Sequence, residues 1–392
     1  MLRFFEGLIR SFAKGSSRVC AGAHFDEATC VPIDELGPVV RASCNGGSYL
    51  RTAPTLIVGP TEICQPVWEA MGQKIDPPRL GVAEIDSAIV CGEGIVWKKT
   101  PDGPRVVSES LLNADSARSI LPMKRTAEGG LCVKRNTRVK TLPRGETYAY
   151  LRQVWDTNYG HWLIDCLPKV GILAEHFDLA GLKFIVTRRS GPMRKVYVDS
   201  LGAFGIRPDQ IVAMGREAVE VERLLYPLPV AMHYWFKAPR AIQILEALRD
   251  RIAPNGQGPK RLYVSRALAR NRHLLNEAEI LDVLEEFDVT IVYPERLSFV
   301  EQVRLFANAD LVIGNCGANL ANAVFARRGL KIFAITSQIM GDMFYWDLAN
   351  LKSGKYFSLH GQAVCRTPDY NSDFSINAQE FRALLEEKVL RS

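Results

Sequence analysis

The chain has no run of about 18 consecutive apolar residues, which leaves no candidate for a membrane-spanning helix. It has no Cys-x-x-Cys pair: its nine cysteines (Cys20, Cys30, Cys44, Cys64, Cys91, Cys132, Cys166, Cys316 and Cys365) are scattered and odd in number. That pattern argues against a disulfide framework or structural zinc and for a reducing, cytoplasmic compartment. Asp-x-Asp, His-Glu-x-x-His and Cys/His clusters are absent, and the six histidines are dispersed, so no metal or other cofactor is expected. No Gly-x-Gly-x-x-Gly follows an early strand, which weakens a dinucleotide-dependent oxidoreductase. There is no internal repeat and no low-complexity tract. A strong charge of one sign is also missing. Lys plus Arg number 49 against 43 Asp plus Glu, a net charge of +6 that suits an anionic substrate but falls short of a nucleic-acid footprint.

What is present is an ordinary globular composition, 47% hydrophobic over 392 residues, enough for two cores. Residues 1–14 place Leu2, Phe5, Leu8, Ile9 and Phe12 on one helical face with Arg3, Arg10 and Lys14 elsewhere, while Glu6 and Arg10 interrupt any signal-peptide core. Such a segment either touches a membrane surface peripherally, on its inner face, or packs as a first helix on its own domain. Residues 1–84 form an amino-terminal extension, rich in Gly and Pro, that periodicity does not assign. From Ile85, the runs 88–90, 94–97 and 105–107 around the turn Pro101-Asp102-Gly103 read as a strand meander. Helices expected over 159–176 and 194–204 then alternate with strands over 183–187, 210–213 and 219–225. This predicts an α/β domain over 85–238 with a mainly parallel sheet.

A helix over 239–252 precedes Pro254-Asn255-Gly256-Gln257-Gly258-Pro259, which breaks the chain and marks a candidate boundary, and a second α/β domain is expected over 239–392. In it Asn276 with Glu279, Ser298 with Glu301 and Asn377 with Glu380 each read as a capping box that starts a helix, and strands are expected over 289–293, 310–313 and 331–335. Two doubly wound domains facing a cleft are the expected architecture.

Three segments carry the chemistry. His161 and Asp165 sit four residues apart, one helical turn, where a carboxylate would orient an imidazole acting as a general base. A hydrogen-bonded core histidine is the other reading. Pro168 is expected to bend or end that helix by clashing with the carbonyl of Ile164. The strand 261–264 is followed by Ser265-Arg266-Ala267-Leu268-Ala269-Arg270-Asn271-Arg272, where Arg266 and Arg272 could fork onto phosphate oxygens and Ser265 could donate a hydroxyl. The strand 311–313 is followed by Gly314-Asn315-Cys316-Gly317-Ala318-Asn319. A helix starting near Ala318 would turn its amides toward a diphosphate, unobstructed at Gly317 or Ala318. Glu295 ends another strand and could hold a ribose. Loops at the carboxyl ends of neighbouring strands would converge on one site.

Taken in order, Asn158-Tyr159-Gly160-His161-Trp162-Leu163-Ile164-Asp165-Cys166-Leu167-Pro168, Arg261 to Arg266 with Arg272, Asn276 and Glu277, then Glu295, Ser298, Gln302, Leu305-Phe306, and Gly314 to Phe325 resemble the family 61 glycosyltransferases. The resemblance covers about residues 85–335. It implies a GT-B fold, metal-independent inverting transfer from a UDP-linked nucleotide sugar to a glycan or lipid-linked glycan acceptor, and a place in capsular or extracellular polysaccharide synthesis. It also implies that Arg266, with Ser265, Arg272, Glu295, Gly317, Ala318, Asn319 and Asn322, surrounds the donor. Two positions depart from the family pattern: Cys316 stands for a histidine and Asn319 for a glycine. A cysteine cannot supply the histidine's charge or hydrogen bond to a phosphate, so a catalytically inactive sugar-nucleotide or glycan-binding scaffold is the alternative.

Overall fold

The computed structural model describes residues 24–41, 46–112, 122–126, 130–256, 258–365 and 367–392. The amphipathic segment 1–14 lies outside the described residues. Among the described residues no helix is long and apolar enough to cross a membrane, and the cysteines Cys30, Cys64, Cys91, Cys132, Cys166, Cys316 and Cys365 are free thiols. The chain divides into two compact units, residues 1–47 with 76–232 and residues 48–75 with 233–392.

In the first unit the strands Ile211–Met214, Leu182–Thr187, Thr147–Tyr150 and Ala218–Pro227 lie side by side and parallel. The sheet is nevertheless mixed rather than mainly parallel. Ala218–Pro227 continues antiparallel to Val82–Cys91, which leads into the meander of Ile95–Thr100 and Gly103–Val107. The long strands Val82–Cys91 and Ala218–Pro227 pair along most of their length and bury Ile85, Val90, Val219, Val221 and Leu224 in one core. An exposed edge on the parallel half would have invited mispairing, and the meander covers it.

The second unit is a parallel sheet in the order Thr290–Val292, Arg261–Val264, Leu311–Asn315, Lys331–Ser337 and Lys355–Ala363, closed by the antiparallel strand Phe374–Ser375. Its strands read as unbroken apolar runs because both faces are covered: Tyr263, Ile313, Phe333 and Phe357 join Ile280, Phe381 and Leu385 of the surrounding helices. The helix Pro239–Ile252 belongs to this unit, and Arg249 Nη1 donates to Ala326 O at 2.9 Å. The chain break at 254–259 therefore lies inside the unit.

Residues 48–75, unassigned by periodicity, complete this unit. The strand Leu56–Val58 pairs parallel with Lys355–Ala363. Nearby, Arg51 donates twice to Asp347, Nε to Oδ1 at 2.8 Å and Nη2 to Oδ2 at 3.0 Å, and Lys237 Nζ adds a contact to Oδ2 at 3.3 Å. All three side chains are buried. Burial alone would raise the Asp347 carboxyl, but Lys237 and Arg51 more than offset it and hold it below the usual carboxylate range. Asp347→Ala strands two buried cations, so urea unfolding should show a loss of about 3–5 kcal/mol.

The Ser298 capping box forms as the sequence reading expects, with Ser298 Oγ accepting from Glu301 N and Glu301 Oε2 from Ser298 N. Asn377 Oδ1 likewise accepts from Glu380 N. Asn276 does not cap its helix, Glu277–Glu285. Its side chain both donates to and accepts from the backbone of Ile376, and its amide also donates to Glu279 Oε2 at 3.2 Å.

Candidate active site

In the first unit the loop leaving Thr147–Tyr150 runs into the helix that carries His161. Asn158 starts that helix by accepting from Gly160 N at 2.9 Å. The turn Trp162–Cys166 then widens to a π-helix, and Leu167 N donates to Trp162 O, five residues back. Pro168 therefore does not end the helix as its ring alone would predict. The widened turn opens the ladder where proline offers no N–H, and the helix continues over Pro168–Ala174. Such single π turns recur at functional sites.

The π turn keeps His161 and Asp165 together: His161 Nδ1 lies 2.8 Å from Asp165 Oδ2. The Asp165 side chain is 3% exposed and that of His161 17%, so the ring reaches solvent while its partner does not. A buried carboxylate accepting the Nδ1 hydrogen places the basic lone pair on Nε2. Trp155 packs its ring 5.0 Å from the His161 ring, and its backbone sits at φ 68°, a strained position for a bulky residue. Trp162 is fixed behind by Ser200 Oγ and the edge of Tyr197.

In the second unit, Arg261–Val264 and Leu311–Asn315 are neighbouring parallel strands, Val264 beside Gly314, so their loops do leave from the same edge. Gly317 is extended, a conformation open to any residue, and its need for glycine is spatial. A Cβ there would stand 1.6 Å from Arg266 Nη1 and 2.6 Å from its Cζ. The Arg266 guanidinium thus lies against the backbone at Gly317, buried at 7% exposure, with Nη2 donating to Asn271 O at 3.0 Å. Arg272, at φ 58°, sets its guanidinium over the Tyr370 ring and donates from Nη1 to Met340 Sδ. The Nε atoms of both arginines are buried with no partner. Burial, and then Arg272, lowers the pKa of Arg266. Two like charges held together in a partly desolvated place are unfavourable until an anion joins them.

The other donor-side residues fall around this pair. Ser265 is fully buried and its Oγ accepts from Ala267 N, so it shapes the arginine loop from beneath. Asn319 Nδ2 donates to the exposed Glu295 at 2.6 Å. Asn322 is buried and donates to Gln302 Oε1 and Asn319 O. The segment Ala318–Phe325 is a 3-10 helix rather than an α-helix, so its first amides are more tightly wound than expected. Cys316 turns away into a cavity of about 10 Å³ shared with Cys64, Thr336, Asp342 and His360. Burial, then Asp342, pushes its thiol up to about 12, so it is neutral. His360 is neutral too, lowered to about 4 by burial.

Sequence reasoning missed the side chains that hold the pair. Tyr345 donates its hydroxyl to Gly317 O, Asn271 fixes Arg266, Asn315 Nδ2 donates to Arg272 O, and Tyr370 supports Arg272. Tyr345 comes from the first turn of the helix Phe344–Leu351 and Tyr370 from a turn, both remote in sequence from the arginine loop, and no local spacing announces them.

Comparison with known proteins points the same way. The profile of the family described as Glycosyltransferase 61 matches residues 159–333, a span that holds His161, Asp165, Arg266, Arg272 and Gly317. The EGF domain-specific O-linked N-acetylglucosamine transferase of Drosophila melanogaster is 34% identical over 116 residues, 29% of this chain and 22% of that protein. The chain thus matches about a fifth of that relative's length.

Proposed function

We propose, from the match of residues 159–333 to the glycosyltransferase 61 family, that the chain transfers a sugar from a UDP-linked nucleotide sugar to a glycan hydroxyl, with inversion. The observation that carries this reading is the buried Arg266 guanidinium packed against Gly317, together with the half-buried Arg272 over Tyr370, each with a buried, unpartnered Nε. Planar guanidiniums match phosphate oxygens two at a time, and an anion between Arg266 and Arg272 would relieve their mutual repulsion.

In this reading the first unit supplies the acceptor-side residues and the second the donor-side residues. His161, its ring held by Asp165, accepts the acceptor hydroxyl's proton at Nε2. The acceptor oxygen forms its bond to the anomeric carbon on the face opposite the departing diphosphate, through an oxocarbenium-like transition state. The bond from that carbon to the phosphate oxygen breaks, and its electron pair leaves with the diphosphate. Arg266 and Arg272 neutralise the charge that accumulates there, aided by the amides that follow Gly317. These groups assign the work of charge neutralisation to the protein itself.

The N-acetylglucosamine transfer named for the Drosophila relative makes UDP-N-acetylglucosamine the first donor to try. In a thermal-shift screen of nucleotide sugars on the whole chain, a donor present at 100 times its dissociation constant should stabilise by about 2.7 kcal/mol. Arg266→Ala should abolish that shift. A screen in which no nucleotide sugar or nucleotide diphosphate stabilises the protein contradicts the proposal. Cys316, neutral and turned into its own cavity, favours a second reading, a sugar-nucleotide-binding scaffold. Binding without nucleotide release across a panel of acceptors would select it.

A further inference from the structure

The loop that carries Arg266 and Arg272 is fastened at its far end to a turn a hundred residues on. Arg272 N donates to Asn371 O at 3.2 Å, His273 N to Asp373 Oδ1 at 2.7 Å and Leu275 N to Phe374 O at 2.8 Å, while Phe374 N donates back to His273 O at 3.0 Å. The His273 ring lies between the two segments, with Nδ1 3.0 Å from Asp373 Oδ1 and Nε2 2.9 Å from Ala269 O.

Asn371 reaches both arginines. Its side chain accepts from Asn271 Nδ2 at 2.8 Å, and Asn271 O accepts in turn from Arg266 Nη2 at 3.0 Å. Its backbone oxygen holds Arg272, whose φ of 58° is a left-handed conformation that a long side chain rarely adopts and that persists only where the surroundings over-determine it. Both neighbouring peptides are pinned, since Arg272 O also accepts from Asn315 Nδ2 at 2.6 Å. The turn bearing Asn371 is closed from within, with Asp369 Oδ1 accepting from Asn371 N at 2.8 Å and from Ser372 Oγ at 3.1 Å. Neither Asn371 nor Asp373 lies in a helix or strand. What their bonds fix is the backbone on which the two guanidiniums are mounted.

We propose that Asn371 and Asp373 are positioning residues for the donor diphosphate: they clasp the loop 265–272 so that Arg266 and Arg272 stand together before an anion arrives. This rests on the reading of that pair as the diphosphate site. Two guanidiniums repel, and a loop free to relax would let them part. Holding them in place moves that cost from binding to folding, and the anion then meets a site already set.

Hydrogen exchange and calorimetry of the whole chain test this. In the ligand-free protein, amide exchange over 272–275 should quicken by about tenfold in Asp373→Ala and stay within about twofold of wild type in Asp373→Asn, whose side-chain oxygen still accepts from His273 N. With UDP as the probe, affinity should fall by about 3- to 10-fold in Asn371→Ala and in Asp373→Ala and recover in Asp373→Asn. Asn271→Ala combined with Asn371→Ala should lose no more than the larger single loss, because the two share one bond. A general loosening of the fold would produce neither the rescue nor the failure to add. Unchanged exchange in Asp373→Ala, unchanged UDP affinity in both alanine variants, or additive losses in the double variant overturn the proposal. If Asp373→Ala does not fold, Asn371→Ala and the double variant decide. Wild-type affinity in Arg266→Ala would instead remove the diphosphate reading, and the exchange result would still judge the clasp.

Discussion

Gly317→Ala should weaken nucleotide-sugar binding by about 10- to 100-fold, the worth of roughly 1.5–3 kcal/mol of charge-assisted hydrogen bonding, while the chain stays folded. The backbone tolerates the change, because φ at Gly317 is 172° and any residue adopts it. What fails is space. The new methyl would stand 1.6 Å from Arg266 Nη1, and the arginine, whose far end is the movable part, must leave its place. Arg266 would then be displaced from Gly317 and no longer set beside Arg272. Gly317→Ala and Arg266→Ala should accordingly fail to add, since both remove one interaction, whereas independent sites would sum. Isothermal titration of the two single variants and the double variant checks this. Wild-type affinity in Gly317→Ala would mean that the guanidinium beside Gly317 does not hold the donor.

The second large effect belongs to the first unit. His161→Gln should reduce turnover by about 100- to 10,000-fold, the range a positioned general base contributes, with donor affinity preserved. Asp165→Asn keeps the shape but turns an amide toward Nδ1, which places the imidazole hydrogen on the wrong nitrogen, and it should cost about 100-fold or more in turnover. A fall in donor affinity with turnover per bound complex unchanged would reassign the pair to binding. Initial rates against donor concentration separate the two outcomes.

How much of this could be read from residues alone depended on distance along the chain. The strands Arg261–Val264 and Leu311–Asn315 are short apolar runs flanked by polar loops, and their readings agree with the fold because a strand covered on both faces needs little besides such residues. The Ser298 box was legible because its two partners are three residues apart. Asn276 carries the same local pattern, yet its side-chain oxygen accepts from Ile376 N, a hundred residues on, and not from an amide of its own helix. The π turn at Trp162–Cys166 was hidden in a segment whose spacing fits an ordinary helix, and only Pro168 hinted at it. The segment 48–75 was opaque because its strand has three residues and its pairing partner lies some 300 residues away. The same holds in the candidate site. Arg266 and Gly317 were each legible as candidates, but their fit, the feature that most restricts both, exists only once the two strands are neighbours.

The division of labour between the two loops and the histidine is the centre of the account, and one comparison tests it most directly. Wild type, Arg266→Ala and His161→Gln are titrated with the nucleotide sugar found by screening and then assayed for nucleotide release with acceptor present. The account predicts that Arg266→Ala loses binding, and that His161→Gln binds as wild type does and releases no nucleotide above the slow residual rate. Undiminished binding in Arg266→Ala, or wild-type nucleotide release in His161→Gln, would contradict it.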